Sequence, residues 1–258
     1  PEWMANRLIS IGQRPISALV DITKYIMIDL GRPLHAFDAD KISGDTLFIR
    51  RANAGEKILA LNEKEYECTP DMLVIGDRDG ADDIAGIMGG ERTGIREDTQ
   101  NLFLEIAIFD PISVATTGRA LNINSDARYR FERGLDGESP DLLSGYIATF
   151  VQSICGGKIS REVSVGAGVA WQRCVHFNPE LTQQLTGIEL AHPQQRQILN
   201  ELGFIIEPGE DMTWSVMPPA WRNDIDGQAD LVEEIIRVAG YDKPVSYTHL
   251  TLPTTWLV

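Results

Sequence analysis

The chain is short of cysteine, of cationic side chains and of long apolar runs, and each shortage removes a class of function. Its 258 residues include 3 cysteines, Cys68, Cys155 and Cys174. They are far apart and odd in number, giving neither a disulfide framework nor CxxC metal spacing, and they fit a reducing, cytoplasmic setting. Lys and Arg total 23 against 38 Asp and Glu, a formal net charge of -15. A broad nucleic-acid surface needs clustered cations against phosphates, so no DNA binding is expected and any RNA contact has to be local. No run of roughly 18 apolar residues could cross a bilayer, so no membrane role is expected. The opening Pro1-Glu2-Trp3 has neither a Met nor a basic start followed by an apolar stretch. It reads as the interior of a longer protein rather than as a signal peptide. Ser-His-Asp, Cys-His and metal-His spacings are also missing, so nucleophilic catalysis by a side chain is not indicated.

What is present is an ordinary globular composition, 43% hydrophobic, in a chain long enough for two domains. In "RPISALVDITKYIMIDLGRPLHAFD" the residues Ile16, Leu19, Ile22, Tyr25, Ile26 and Leu30 recur at helical spacing, with Gly31 and Pro33 as stop signals. Strands are predicted over 47–50, 57–61 and 72–75, separated by the turn-prone "NAGE", "NEKE" and "DRDG". "DIAGIMGG" sets Gly86, Gly89 and Gly90 in an apolar stretch, where glycine marks a bulge or the close approach of another group. A further strand, "NLFLEIAIF", closes at Asp110-Pro111, where a helix begins. After an Arg-rich stretch, an amphipathic helix over 142–155 ends at Gly156-Gly157. These elements make a mixed-sheet α+β domain over residues 1–160, followed by a linker over 161–172. Residues 173–244 read as a smaller acidic domain: a short strand "CVHF", a helix begun by Asn178-Pro179-Glu180, a second over 193–202 and a hairpin around Pro208-Gly209. A third, acidic helix completes a winged-helix-like α+β module, a likeness of architecture only.

Two features carry chemistry. Glu105 is an ionisable side chain inside the apolar "NLFLEIAIF". It lies on a strand with one wet face, or it is paired with an arginine such as Arg119 or Arg130, or it is the polar anchor of a ligand pocket. His35, placed in a loop just past the helix stop, is either a capping residue or part of a site, whereas His176 and His192 read as structural. The second feature is "WRNDIDGQADLVEEIIRVAGY", which puts Asp230, Glu233, Glu234 and Arg237 on one helical face. Leu231, Ile235 and Val238 with Val232, Ile236 and Ala239 make the other. From spacing alone the acidic face is a solvated one, with Glu233 and Arg237 as an i,i+4 pair.

Four blocks in order carry a family resemblance: "RPISALVDITKYIMIDLGRPLHAFDADKI", "AGIMGGERTGIREDTQNLFLEIAIFDPISV", "NSDARYRFERGLD" and "WRNDIDGQADLVEEIIRVAGYDK". Together they resemble the β subunit of bacterial phenylalanyl-tRNA synthetase, over nearly the whole chain to about Lys243. The resemblance implies an editing domain that hydrolyses tyrosine wrongly attached to tRNA(Phe), followed by a small domain. It also implies an α subunit that carries the aminoacylation site, an (αβ)2 heterotetramer that as a full enzyme uses ATP, and contact with the tRNA 3′ end. A pocket made for Phe rejects an added hydroxyl imperfectly, so a second pocket that hydrogen-bonds that hydroxyl removes the error.

By the same resemblance, Glu105 falls where the family recognises the tyrosine hydroxyl. His35 and Thr23 match positions near the ester and the terminal adenosine, Gly86 matches a glycine lining the pocket, and Ala127 a small residue on its rim. Larger side chains at Gly86 or Ala127 are expected to block it. Asp224, Asp230, Glu233 and Glu234 match acidic positions assigned to Mg2+ near the α subunit, with Asp226 left to solvent, although Mg2+ usually takes only one or two carboxylates plus waters. Two departures stand out: Lys24 replaces the Asn of the family's "TNY", and Asn122 replaces a glycine, a change Asn tolerates because it accepts left-handed backbone. Residues 245–258, with His249, read as a foreign tail and receive no role. A free-standing trans-editing hydrolase, or a non-catalytic RNA- or protein-interaction module, are the alternatives.

Overall fold

A computed structural model describes residues 1–166, 168–209 and 212–241; the predicted tail with His249 lies outside them. The chain divides into two compact units, Pro1–Val169 and a second beginning at Ala170. Both are α+β, and every strand pairing in them is antiparallel.

The first unit opens on α1 (Glu2–Ser10) and α2 (Ala18–Asp29). Ser17 caps α2 by accepting from the Val20 N–H, and Asp21 accepts from the Ile16 N–H at 2.8 Å, which turns the chain into the helix. Strands β1 (His35–Asp38), β2 (Phe48–Arg51), β3 (Glu56–Leu59), β4 (Glu65–Cys68), β5 (Leu73–Gly76), β6 (Ala81–Ile84) and β7 (Leu102–Glu105) follow. They pair as β1-β7, β3-β4 and β2-β5-β6. Then come α3 (Pro111–Ala120), α4 (Asp126–Phe131) and α5 (Ser139–Cys155). Asp110 caps α3 through the Ser113 N–H with Pro111 in the first turn, as the sequence predicts.

The apolar residues make two cores in this unit. One gathers Phe37, Val74, Ile84, Ile87, Phe109, Val114 and Phe131 between the strands, α3 and α4. The other packs Met4, Leu8, Ile22, Ile26 and Ile147 among α1, α2 and α5. β1 takes part in the first, through Phe37, while α2 packs against it from the second.

The second unit holds β8 (Val175–Phe177), α6 (Glu180–Thr186), α7 (His192–Glu201), β9 (Ile205–Pro208), β10 (Trp214–Met217) and α8 (Gln228–Ala239). Its sheet order is β8-β10-β9. Phe177, Leu199, Val216, Ile225, Leu231 and Ile235 form its core.

Several expectations are corrected here. His35 lies on a strand, not in a loop. "NEKE" is not all turn, because Glu65 opens β4, with Glu63 at φ 64 making the bend. "NLFLEIAIF" is a strand only as far as Glu105. Beyond it the Ala107 carbonyl accepts from the Arg32 guanidinium instead of a neighbouring strand. In α8, Val238 is 46% exposed rather than in the core, and Glu234 is buried rather than solvated.

Candidate functional site

The β1-β7 ladder sets His35 directly opposite Glu105, with Phe37 opposite Phe103 one step along the same face. Residues paired in this way have Cβ atoms about 5 Å apart. Two side chains 70 positions apart in sequence are thus neighbours on one small patch.

Glu105 is half-buried, and its side chain makes no hydrogen bond or ion pair among the described residues. Burial pushes its pKa up to about 7; His35 and Arg32 act against this and Asp83 adds to it. The guanidinium that acts on it is Arg32, not Arg119 or Arg130. Arg32 is itself 1% exposed, held by the Ser139 hydroxyl at 3.0 Å and the Ala107 carbonyl. Burial lowers its pKa to about 10, with Glu105 and Asp136 opposing.

The His35 ring packs edge-on to Phe37, 4.5 Å between centroids. Its Nε2 lies 3.3 Å from Asp83 Oδ2. Burial lowers its pKa, while Glu105 and Asp82 act the other way. The glycines of "GIMGG" make this possible. A Cβ on Gly89 would stand 2.3 Å from His35 Cε1, and one on Gly90 would stand 1.8 Å from the Asp82 carbonyl oxygen. Behind them Asp82 and Asp77 share Arg92, at 2.6 and 2.7 Å. Burial still pushes Asp82 up to about 6.

The other expected residues make their described contacts with other groups. Thr23 lies on α2, and its hydroxyl donates to the Val20 carbonyl at 2.8 Å. Lys24 donates to the Arg14 carbonyl at 2.9 Å, so its charge is turned to the backbone rather than to a phosphate or carboxylate. Gly86 has φ +69, and a Cβ there would run into the rings of Phe109 and Phe131, 2.8 and 3.2 Å away. The direction a side chain would take there is into the core. Ala127 is half-buried on α4 and packs on the same core. The start of α4 is tied to the glycine loop by the Ser125 hydroxyl donating to the Ile87 carbonyl. Two open depressions, of about 460 and 320 Å³, lie along α3 and α4 and include none of these five residues. Sequence reasoning missed Asp83 and Arg32, whereas Gly89 carried a signal, as a glycine marking close approach.

The acidic residues of the second unit are occupied otherwise than expected. Arg222 grips Asp224 through two nitrogens, at 2.6 and 2.8 Å, and reaches Glu234 at 2.9 Å. Arg237 pairs with Glu234 at 2.6 Å rather than with Glu233. Asp230 accepts from the Asp226 and Gly227 N–H groups, capping α8. Asp226 accepts from Arg173 at 3.0 Å instead of facing solvent alone. Both arginines hold Glu234 below the usual carboxylate range, and Arg222 does the same for Asp224. Among the described residues no three His, Cys, Asp or Glu side chains come together as a metal group. As arranged, these carboxylates do not fit a Mg2+ ion: two are neutralised by arginine and a third is spent on a helix end.

Residues 1–156 match the B3/4 domain model, and residues 175–241 match the tRNA synthetase B5 domain. The chain belongs to the B3/4 domain family. It is 48% identical over 244 residues to the phenylalanine–tRNA ligase β subunit of Mesorhizobium japonicum, covering 94% of this chain and 30% of that protein. It is 47% identical over 247 residues to the β subunit of Ruegeria pomeroyi, covering 95% and 30%. The chain therefore spans about 30% of the length of these curated relatives. Among solved structures, an N-terminal fragment of the phenylalanyl-tRNA synthetase β subunit from Pyrococcus horikoshii matches at a TM-score of 0.43 and 16% identity, over 88% of this chain and 67% of that one. That likeness is too loose to place a residue.

Proposed function

We propose that the B3/4 unit is an ester-hydrolysing editing module of a phenylalanine–tRNA ligase, clearing tyrosine from tRNA(Phe). The observation that carries this reading is Glu105, a carboxyl that burial pushes toward its neutral form and that has no hydrogen-bonding partner of its own, directly across the ladder from His35. A phenol hydroxyl both donates and accepts. The Glu105 carboxylate accepts a hydrogen bond from the phenol O–H and His35 supplies an N–H to its oxygen, so both residues work at the hydroxyl end of the substrate. This reading uses His35 at the hydroxyl end, where its pairing opposite Glu105 supports it, in place of the ester end that the resemblance implies. Phenylalanine has no hydroxyl and would leave both groups desolvated and unpaired, the situation that sites built around a substrate hydroxyl use for rejection.

The chemical step is attack of water on the ester carbonyl carbon. The bond to the ribose oxygen of the terminal adenosine breaks, tyrosine leaves as the free amino acid, and the tRNA regains its hydroxyl. No side-chain nucleophile is involved. The water is held by the pocket and by the tRNA's own neighbouring hydroxyl. No step runs through magnesium. In the whole enzyme, a cytoplasmic (αβ)2 assembly that consumes ATP in its α subunit, the B5 unit serves as a partner surface.

The test is Glu105→Ala in the complete enzyme. Loss of a hydrogen bond to a charged group, about 1.5–3 kcal/mol, lowers clearance of Tyr-tRNA(Phe) by roughly 10- to 100-fold and leaves phenylalanine charging unchanged. With Glu105 titrating near 7, the acceptor form grows as pH rises, so wild-type clearance climbs through neutrality and the variant loses that step. Unaltered clearance in the variant defeats the assignment.

A further inference from the structure

The group beside this patch that the reaction above leaves without a task is Asp83. It is 4% exposed, its Oδ1 accepts from the Gly90 N–H at 2.8 Å, and its Oδ2 faces His35 Nε2 at 3.3 Å. That nitrogen is buried and makes no aligned hydrogen bond as the side chains stand. Buried ring nitrogens are paired as a rule, and Asp83 Oδ2 is the carboxylate oxygen within ion-pair distance. Phe37 packs against the ring, and Gly89 leaves its Cε1–Nδ1 edge free of a side chain: a Cβ there would be 3.1 Å from Nδ1. The ring's place is fixed; its proton is the remaining variable.

The charged and titratable groups around the pair are Glu105 from β7, Asp82 from β6 and Arg32 from the segment ahead of β1. Burial lowers the His35 pKa and raises that of Asp83 to about 8, with the Gly90 N–H pulling Asp83 back and Asp82 adding to the rise. Both partners move toward their neutral forms. A neutral carboxyl has one O–H to give, and a neutral imidazole has one bare nitrogen to receive it.

We propose that Asp83 is a positioning residue for His35: its carboxyl donates from Oδ2 to Nε2, which fixes the ring as the neutral Nδ1–H tautomer and presents that N–H beside Gly89 to a ligand oxygen. Resting on the editing reading, that oxygen is the tyrosine phenol. Asp83 never touches the substrate. It acts by deciding which nitrogen of His35 carries the proton.

Nitrogen-15 histidine spectra of this chain across the pH range test the assignment, alongside Tyr-tRNA(Phe) clearance by the complete enzyme. In the wild type His35 shows a protonated Nδ1 and a bare Nε2 at pH 7. Asp83→Asn keeps that pattern, because its amide nitrogen takes the place of Oδ2 as donor while its oxygen accepts from Gly90. Asp83→Ala loses the pattern, giving the tautomer mixture of an unheld ring, and Tyr-tRNA(Phe) clearance falls where Asp83→Asn retains it. A wild-type ring protonated at Nε2 overturns the proposal even if Asp83→Ala fails to fold, and so does an Asp83→Ala spectrum identical to the wild type. A wild-type enzyme that never clears Tyr-tRNA(Phe) defeats the editing reading instead, and leaves the tautomer result standing.

Discussion

Gly86→Val lowers the melting temperature of the first unit by roughly 6–12 °C. The backbone at Gly86 has φ +69, and the first carbon of any side chain would meet Phe109 at 2.8 Å and Phe131 at 3.2 Å. Those two rings are 5% and 3% exposed and lie 5.0 Å apart in the centre of the strand-side core. Overpacking such a site costs about 1–3 kcal/mol, and an L residue in left-handed backbone adds about 1–2. Taking about 3 kcal/mol together, a domain of this size melts roughly 2–4 °C lower per kcal/mol. The family resemblance implies something different at the same position, a blocked pocket in an intact fold. Calorimetry separates the two: an unshifted transition with hydrolysis abolished puts Gly86 on the pocket wall, and a shifted transition puts it in the core.

Arg222→Ala destabilises the B5 unit by about 2–3 kcal/mol. Glu234 has a side chain only 9% exposed and depends on Arg222 and Arg237 together. Removing one partner of a buried pair leaves charge behind without compensation, a cost of about 3–5 kcal/mol when nothing remains; Arg237 retains part of it here. Asp224 is 64% exposed and adds little. The pH dependence has a definite sign. Asp224 and Glu234 are held below their ordinary values, so their contribution is complete above a pH of about 4, where the unfolded groups are ionised. It is lost as pH falls through the depressed folded values. Urea unfolding of the wild type steepens in acid over that window, and the variant's acid limb is flatter. Added Mg2+ leaves both curves in place, because Asp224 and Glu234 are held by Arg222 and Arg237 and Asp230 by the Asp226 and Gly227 N–H groups, which leaves only the single exposed carboxylate of Glu233; a magnesium-dependent rise would show a cation competing with these partners.

The parts of the fold legible in the sequence are those set by strong local signals. α2 could be read from apolar spacing with a Gly and a Pro behind it, and α3 from Asp110-Pro111. β1 and β4 could not, because the helix-stop and turn residues beside them outweigh their pattern; β2, β3 and β5 are no longer than these, yet their apolar residues stand clear of such signals. Glu105 was conspicuous as a charge in an apolar run. Its neighbour was not, since the pairing with His35 is a register fact that joins segments 70 residues apart. The acidic helix shows the opposite case. Helical periodicity placed Glu234 with the solvated residues, but Arg222, in the loop ahead of α8, folds over it and turns a surface charge into a buried ion pair.

The central claim is that the Glu105–His35 patch reads a tyrosine hydroxyl. Single-turnover hydrolysis of Tyr-tRNA(Phe) and Phe-tRNA(Phe) by the complete enzyme, wild type against Glu105→Ala, tests it most directly. The account predicts a wild-type preference for the tyrosyl ester that shrinks by roughly 10- to 100-fold in the variant, through loss of the tyrosyl rate rather than gain of the phenylalanyl one. Equal wild-type rates on the two esters, or a preference unchanged by Glu105→Ala, would contradict it.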